Sequence, residues 1–345
     1  MEDTHPLPRR IDVHSHFLPE DYRTALAQNG HLHPDGMPEI PQWSLEAHLE
    51  MMKLANISKS ILSISSPGVS IVANNPRLTE TLTRLCNAHA ASLKETYPDR
   101  FGFWASLPLP EVDASLKEME TALAEGADGI ALLTNYHGNY LGAPIFDPIF
   151  EKLNEIGATV FIHPTMPCLK CTGHVDHGTA ATPLAPLYPV PMFEFLFDTA
   201  RAVINLFCTG TISRCPNIRF ILPHVGGTFP PLLLRMAGFT KIVPGGRILD
   251  ETETLQVLGK QFYFDLAGLP FAAEEAGQGQ AKALIEGFGI SSNNLLYGSD
   301  FPFTPAEFVA ELAGKMKRGL EALFVRAERE AIYEKNAIEL LNRAK

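Results

Sequence analysis

The stretch Arg10-Ile11-Asp12-Val13-His14-Ser15-His16 decides the fold when it is read with Asn294-Leu295-Leu296-Tyr297-Gly298-Ser299-Asp300 near the far end of the chain. Each is a short apolar run closed by side chains that can hold a metal. If both runs are strands, alternate residues share a face, so His14 and His16 point the same way. Two imidazoles at one strand end make half a metal site. Asp300 can add an oxygen ligand only if the first and last strands are neighbours, as they are when a sheet closes on itself. The two stretches together predict a closed barrel with a divalent metal at its centre.

Working outward, further short apolar runs lie at 60–65, 101–106, 128–133, 158–163, 218–223 and 262–267. Amphipathic stretches separate them, at 44–55, 75–95, 112–125, 147–156, 192–209, 229–239 and 281–288. Eight strands alternating with helices predict an α/β fold, a (β/α)8 TIM barrel, as a single domain over residues 1–345. Segments 17–43 and 164–191, rich in proline, are too long for ordinary connections. They read as insertions after strands one and five, on the C-terminal face where barrel enzymes do chemistry. Extra helices near 305–317 and 326–343 close the chain.

A chain of 345 residues with 46% apolar residues can bury a large core. Its net charge of −11 argues against nucleic acid or an anionic membrane as partner. Five cysteines, an odd number in a long chain, do not suggest a disulfide framework and fit a reducing compartment. Residues 1–10 contain no apolar core of a signal peptide, and no run of about 18 apolar residues suggests a membrane span. The expected location is the cytoplasm.

Each chemically interesting residue closes a predicted strand. His14 and His16 end the first, His163 the fifth, His224 the sixth and Asp300 the eighth. A lone histidine at a strand end is commonly a hydrogen-bonded structural residue. Four histidines and an aspartate at four strand ends converging on one barrel axis are another matter. A set of imidazoles with one carboxylate suits zinc or manganese better than magnesium or calcium. Phe17, Tyr188, Phe301 and Phe303 flank these motifs and are candidates to wall an aromatic ring. A competing zinc set is Cys168, Cys171, His174 and His177, where a Cys-x2-Cys is followed closely by two histidines.

The chain resembles the amidohydrolase superfamily, in its branch of metal-dependent non-oxidative decarboxylases that includes aminocarboxymuconate semialdehyde decarboxylase. The resemblance rests on Ile11-Asp12-Val13-His14-Ser15-His16, His163-Pro164-Thr165-Met166-Pro167, His224-Val225-Gly226-Gly227, Tyr297-Gly298-Ser299-Asp300-Phe301-Pro302 and Asn336-Ala337-Ile338-Glu339-Leu340-Leu341. Within that branch, His33-Pro34-Asp35-Gly36-Met37-Pro38 with Trp43-Ser44-Leu45-Glu46 is most similar to the 6-methylsalicylate decarboxylase type. The resemblance implies His14, His16, His163 and Asp300 as metal ligands and His224 as the adjacent acid, base or orienting group. It implies that Arg235, eleven residues after His224, holds the substrate carboxylate, often across a homodimer. His48 lies near the place where family members carry an arginine.

The implied reaction is loss of carbon dioxide from a salicylate-type acid, with Asp300 as proton donor. The alternative is a metal-dependent hydrolase of a lactone, ester or amide using the same site. Strand four ends Ala131-Leu132-Leu133-Thr134, with no lysine to bridge a second metal, so one ion is expected.

Overall fold

The computed structural model describes residues 7–169, 179–180 and 188–342. Eight strands follow one another around a single parallel sheet in chain order: Arg10–His16, Ile57–Ser63, Phe101–Ser106, Gly129–Leu133, Thr159–His163, Arg219–Leu222, Phe262–Asp265 and Leu295–Leu296. Parallel bridges Asp12–Tyr297 and Ser15–Phe301 bring the first and eighth strands together and close the barrel. Helices lie between the strands, so both sheet faces are covered. This explains the near-continuous apolar runs: in Phe101–Ser106 every residue is buried.

The two faces hold different clusters. Ile61, Trp104, Ala131, Phe161, Ile221 and Leu296 pack inside the barrel. Leu62, Phe103, Leu132, Ile162 and Leu222 face the helices. The end of the barrel opposite the strand termini is sealed by Asn336–Asn342, whose Ala337, Leu340 and Leu341 join the inner cluster. Asn336 Nδ2 anchors this helix by donating to the carbonyls of Ser292 and Leu295, at 2.8 Å each.

The first strand is irregular where it matters. Asp12 pairs with Ser60 but Ser15 pairs with Leu62, so three residues on one strand span two on the other. This bulge switches the inward parity. Val13 belongs to the inner cluster, and beyond the bulge His14 and His16 face inward while Ser15 faces the helices.

Expected boundaries shift by a few residues. The helix expected at 44–55 is Leu45–Leu54, capped by Ser44 Oγ, which accepts the Ala47 N–H at 3.1 Å. The eighth strand contracts to Leu295–Leu296 because Gly298 must pass close to the first strand. A Cβ there would sit 2.9 Å from that of His14. The first insertion contains a helix, Glu20–Gln28, that buries Tyr22 and Leu26. A further unforeseen helix, Glu251–Gln261, starts where Asp250 accepts the Glu253 N–H at 2.9 Å. Among the described residues, no helix is long and apolar enough to cross a membrane.

Candidate metal centre and active site

His14, His16 and His163 bring ring nitrogens within 4.8 Å of one another. Asp300 joins them, with Oδ1 at 3.4 Å from His14 Nε2 and 3.2 Å from His16 Nε2. The three histidines are at most 2% exposed, whereas the Asp300 side chain keeps 22%. The centre therefore opens on the Asp300 side.

The tautomer of each imidazole follows from the partner of its other nitrogen. His14 Nδ1 lies 2.9 Å from Asp265 Oδ2. His163 Nδ1 lies 2.7 Å from the Pro164 carbonyl. Carboxylate and carbonyl oxygens only accept, so both Nδ1 atoms donate. His16 Nδ1 lies 3.0 Å from Ser63 Oγ, whose own proton goes to the Ser15 carbonyl. That Nδ1 also donates. In the neutral imidazoles all three Nε2 atoms carry lone pairs, and those of His14 and His16 are only 3.1 Å apart. Facing lone pairs beside a carboxylate repel unless a positive centre sits among them. The donor set fits a divalent cation with nitrogen and oxygen ligands.

The local electrostatics say the same. Burial opposes charge on His14, but the Asp265 and Asp300 carboxylates outweigh it and hold the imidazole at about 10. Burial keeps His16 and His163 below the ordinary range, His163 strongly so. Burial would raise Asp300, yet His14 and its hydrogen bonds hold the carboxyl well below the carboxylate range. One proton or one cation balances the cluster, and two neutral imidazoles are ready to coordinate.

Asp265 was not foreseen. It closes the seventh strand, Phe262–Asp265, as the other site residues close theirs, and that position was the available signal. Its Oδ2 takes His14, while Oδ1 takes the N–H groups of His224 and Ala267 at 3.0 and 3.1 Å. Although His14, His224 and Asp265 form a second group of close donors, the carboxylate is fully engaged by protein. Its position suits orienting His14 rather than binding an ion. His224 sits with its ring 5.0 Å from that of His14, and burial lowers its pKa. His224, Val225 and Asp300 all have positive φ, of 53, 59 and 60°. Strained backbone of this kind clusters at functional sites.

Other expected positions separate. Phe303 stands against His16, ring centroids 5.4 Å apart, and walls the centre. Phe17 and Phe301 do not. Strand alternation puts Phe17 with Ser15 on the outer face, against Trp43 and His89, and Phe301 packs on His48. His48 is corrected too: it is fully buried behind the first strand, its Nδ1 accepting from Trp43 Nε1 at 3.1 Å and its Nε2 3.2 Å from Ser15 Oγ. With both nitrogens used and no exposure, it braces the first strand from behind. Tyr188 is exposed and touches Phe193. Arg235 is exposed on helix Phe229–Thr240, its guanidinium 4.4 Å from the Phe239 ring, and makes no contact with this chain's own cluster. Of the competing zinc set, Cys171, His174 and His177 lie outside the described residues, and Cys168 stands on the short strand Cys168–Leu169.

The chain is similar to known proteins over most of its length. The chain is 36% identical to decarboxylase yanB of Aspergillus niger over 97% of its own length and 88% of the relative's. It is 34% identical to the 6-methylsalicylic acid decarboxylase acuB of Aspergillus aculeatus, over 97% of both. Among solved structures, an amidohydrolase II superposes with a TM-score of 0.81 at 31% identity, covering 96% of this chain and 99% of that one. The 5-carboxyvanillate decarboxylase of Novosphingobium aromaticivorans, complexed with manganese and 4-hydroxy-3-methoxy-5-nitrobenzoic acid, has the same fold. Its TM-score is 0.75 at 20% identity, over 97% of this chain and 96% of that one. The amidohydrolase family profile matches residues 11–343, and the chain belongs to that family.

Proposed function

We propose that this protein is a metal-dependent decarboxylase that removes carbon dioxide, without oxidation, from a salicylate-type aromatic acid. The first candidate substrate is 6-methylsalicylate. One observation carries the reading: three Nε2 lone pairs, fixed by their Nδ1 partners, converge on the Asp300 carboxylate. The names of the two relatives favour decarboxylation over hydrolysis. His14, His16, His163 and Asp300 are assigned to one divalent ion, zinc first and manganese second, within a single catalytic domain.

When bound, the ion supplies a Lewis acid that gathers the substrate's carboxylate and ortho-hydroxyl oxygens. The chain's own residues do the rest. Direct loss of carbon dioxide would leave an unstable aryl anion, so the ring carbon is protonated first. Asp300, on the open side, delivers that proton. The same neighbours that hold its carboxyl down make its protonated form a strong donor. The carbon–carbon bond then breaks, carbon dioxide leaves, and the electron pair returns to the ring. His224 orients Asp300 and restores its proton. Phe303 packs against the ring and limits water.

A homodimer completes the proposal. Helices Glu194–Cys208 and Phe229–Thr240 pack side by side and leave Phe193, Phe197, Leu232, Leu234 and Phe239 exposed. Apolar patches of this kind mark association surfaces. Arg235 stands within it, exposed, and is assigned to a partner's substrate rather than its own. The free thiols Cys86, Cys208 and Cys215 suit a cytoplasmic setting.

Incubation with salicylates and, separately, with lactones tests the reading. Carbon dioxide from the former and no product from the latter is expected, with about one metal ion per chain, as a single-metal site requires. Asp300→Asn should keep the fold and lower turnover by about 10³-fold. Near-normal decarboxylation by that variant would remove Asp300 from the mechanism.

A further inference from the structure

Asp198, on helix Glu194–Cys208, is a fully buried carboxylate that the proposed reaction does not use. Three side chains donate to it: Thr134 Oγ1, Tyr140 OH and, at 3.2 Å, Asn135 Nδ2. All three come from the segment that follows the fourth strand. Arg201, one turn along the helix, approaches to 3.9 Å.

Each of these donors also grips the chain that follows His163. Thr134 Oγ1 accepts the Thr165 N–H at 3.2 Å. Asn135 Nδ2 donates its second proton to the Met166 carbonyl at 3.1 Å. Tyr140 OH accepts the Cys168 N–H at 3.4 Å. The Asn135 amide oxygen is used by the Gly138 N–H at 3.2 Å. The proton order is therefore unique. A hydroxyl can accept from Thr165 or Cys168 only while its own proton points elsewhere, and Asp198 is where it points. When ionised, Asp198 has no proton of its own and only accepts, the form that three donors suit.

We propose that Asp198 is a positioning residue for the His163 side of the metal centre. Through Thr134, Asn135 and Tyr140 it fixes the path of residues 165–168 and so the seat of His163. His163 depends on that path directly, because its Nδ1 is held by the carbonyl of Pro164. The consequence for metal affinity rests on His163 being a ligand, as proposed above. The effect on the loop does not.

The experiment compares Asp198→Asn, Thr134→Val and their double variant with Leu206→Ala, a cavity in the same helix. Amide hydrogen exchange is followed across residues 163–169, and manganese affinity is measured by chelator competition. Asp198→Asn and Thr134→Val should each expose the Thr165 amide and weaken manganese binding by about 10-fold or more. The double variant should be little worse than the stronger single change. Leu206→Ala should lower the melting temperature while leaving both readouts as in the parent. The proposal is overturned if Asp198→Asn and Thr134→Val behave like Leu206→Ala. Should Asp198→Asn fail to fold, Thr134→Val, the loss of one hydroxyl, decides alone. Wild-type manganese affinity in His163→Ala would count against His163 as ligand, and the exchange measurement would still judge the clamp.

Discussion

The two ends of the first strand each bury charge, and they resolve it in opposite ways. At the start, Arg10 is fully enclosed. Its guanidinium donates to the carbonyls of Pro8, Ala55 and Ala313 at 3.0, 2.8 and 3.2 Å. It also lies between the rings of Tyr297 and Tyr333, 5.2 and 5.0 Å from their centroids. Three carbonyls and two ring faces hold this cation, although its Nε–H is buried without a hydrogen-bond partner. At the other end, His14 and His16 meet His163 and Asp300 as acceptors facing acceptors. The Nδ1 hydrogens of that cluster point outward to Asp265, Ser63 and Pro164, so one added proton or one cation is needed to balance what faces inward. A buried charge met by carbonyls and ring faces of the protein is architecture. A buried set of lone pairs that lacks a donor is a binding site.

The contrast can be broken experimentally. Chelation should act at one end only: turnover should fall by at least about 10³-fold and return with zinc or manganese. The loss of a tightly held ion should lower the melting temperature by several degrees, in line with about 4 kcal/mol of binding linkage. Full activity in thoroughly chelated protein would dissolve the distinction between the ends. Arg10→Met should do the reverse. Carbonyls of Ala55 and Ala313 would lose their donor, costing about 3 kcal/mol in urea unfolding, while the refolded fraction binds manganese as before.

Asp265→Asn sharpens the picture within the metal end. Removing the carboxylate that fixes His14 should weaken metal affinity by about 10- to 100-fold, measured by chelator competition. Unchanged affinity would mean that His14 is held by packing alone. The smallest effect concerns Asp35 in the first insertion, whose carboxyl meets Ser66. Burial raises it from 3.8 to about 6. The ionised form is therefore disfavoured by folding. The resulting loss of stability is absent at about pH 4 and complete above about pH 6. Asp35→Asn should raise the melting temperature by about 1 °C at pH 8 and leave it unchanged at pH 4. An equal gain at both values would assign the effect to something other than the charge.

Much of this arrangement was legible in the chain. Periodicity placed all eight strands, because strands covered on both faces must be apolar throughout, and a polar residue ending such a run stands out. His14, His16, His163 and Asp300 were found that way, and the structure brings them together. Asp265 ends its strand in the same manner but was passed over, because the apolar Leu266-Ala267 that follows hides the boundary. Phe17, Phe301 and His48 were misplaced for a different reason. Nearness in sequence to a motif does not say which face a side chain takes, and the bulge at Val13–His14 resets that parity.

The chain by itself determined a closed α/β barrel and the residues able to hold a cation at its mouth, since both follow from local patterns of apolar and polar residues. Only the tertiary structure decided the tautomers of the three imidazoles, the outward place of Arg235 and the engagement of Asp198. Those depend on which groups from distant strands come within about 3 Å, a hydrogen-bond distance that no spacing along the chain encodes.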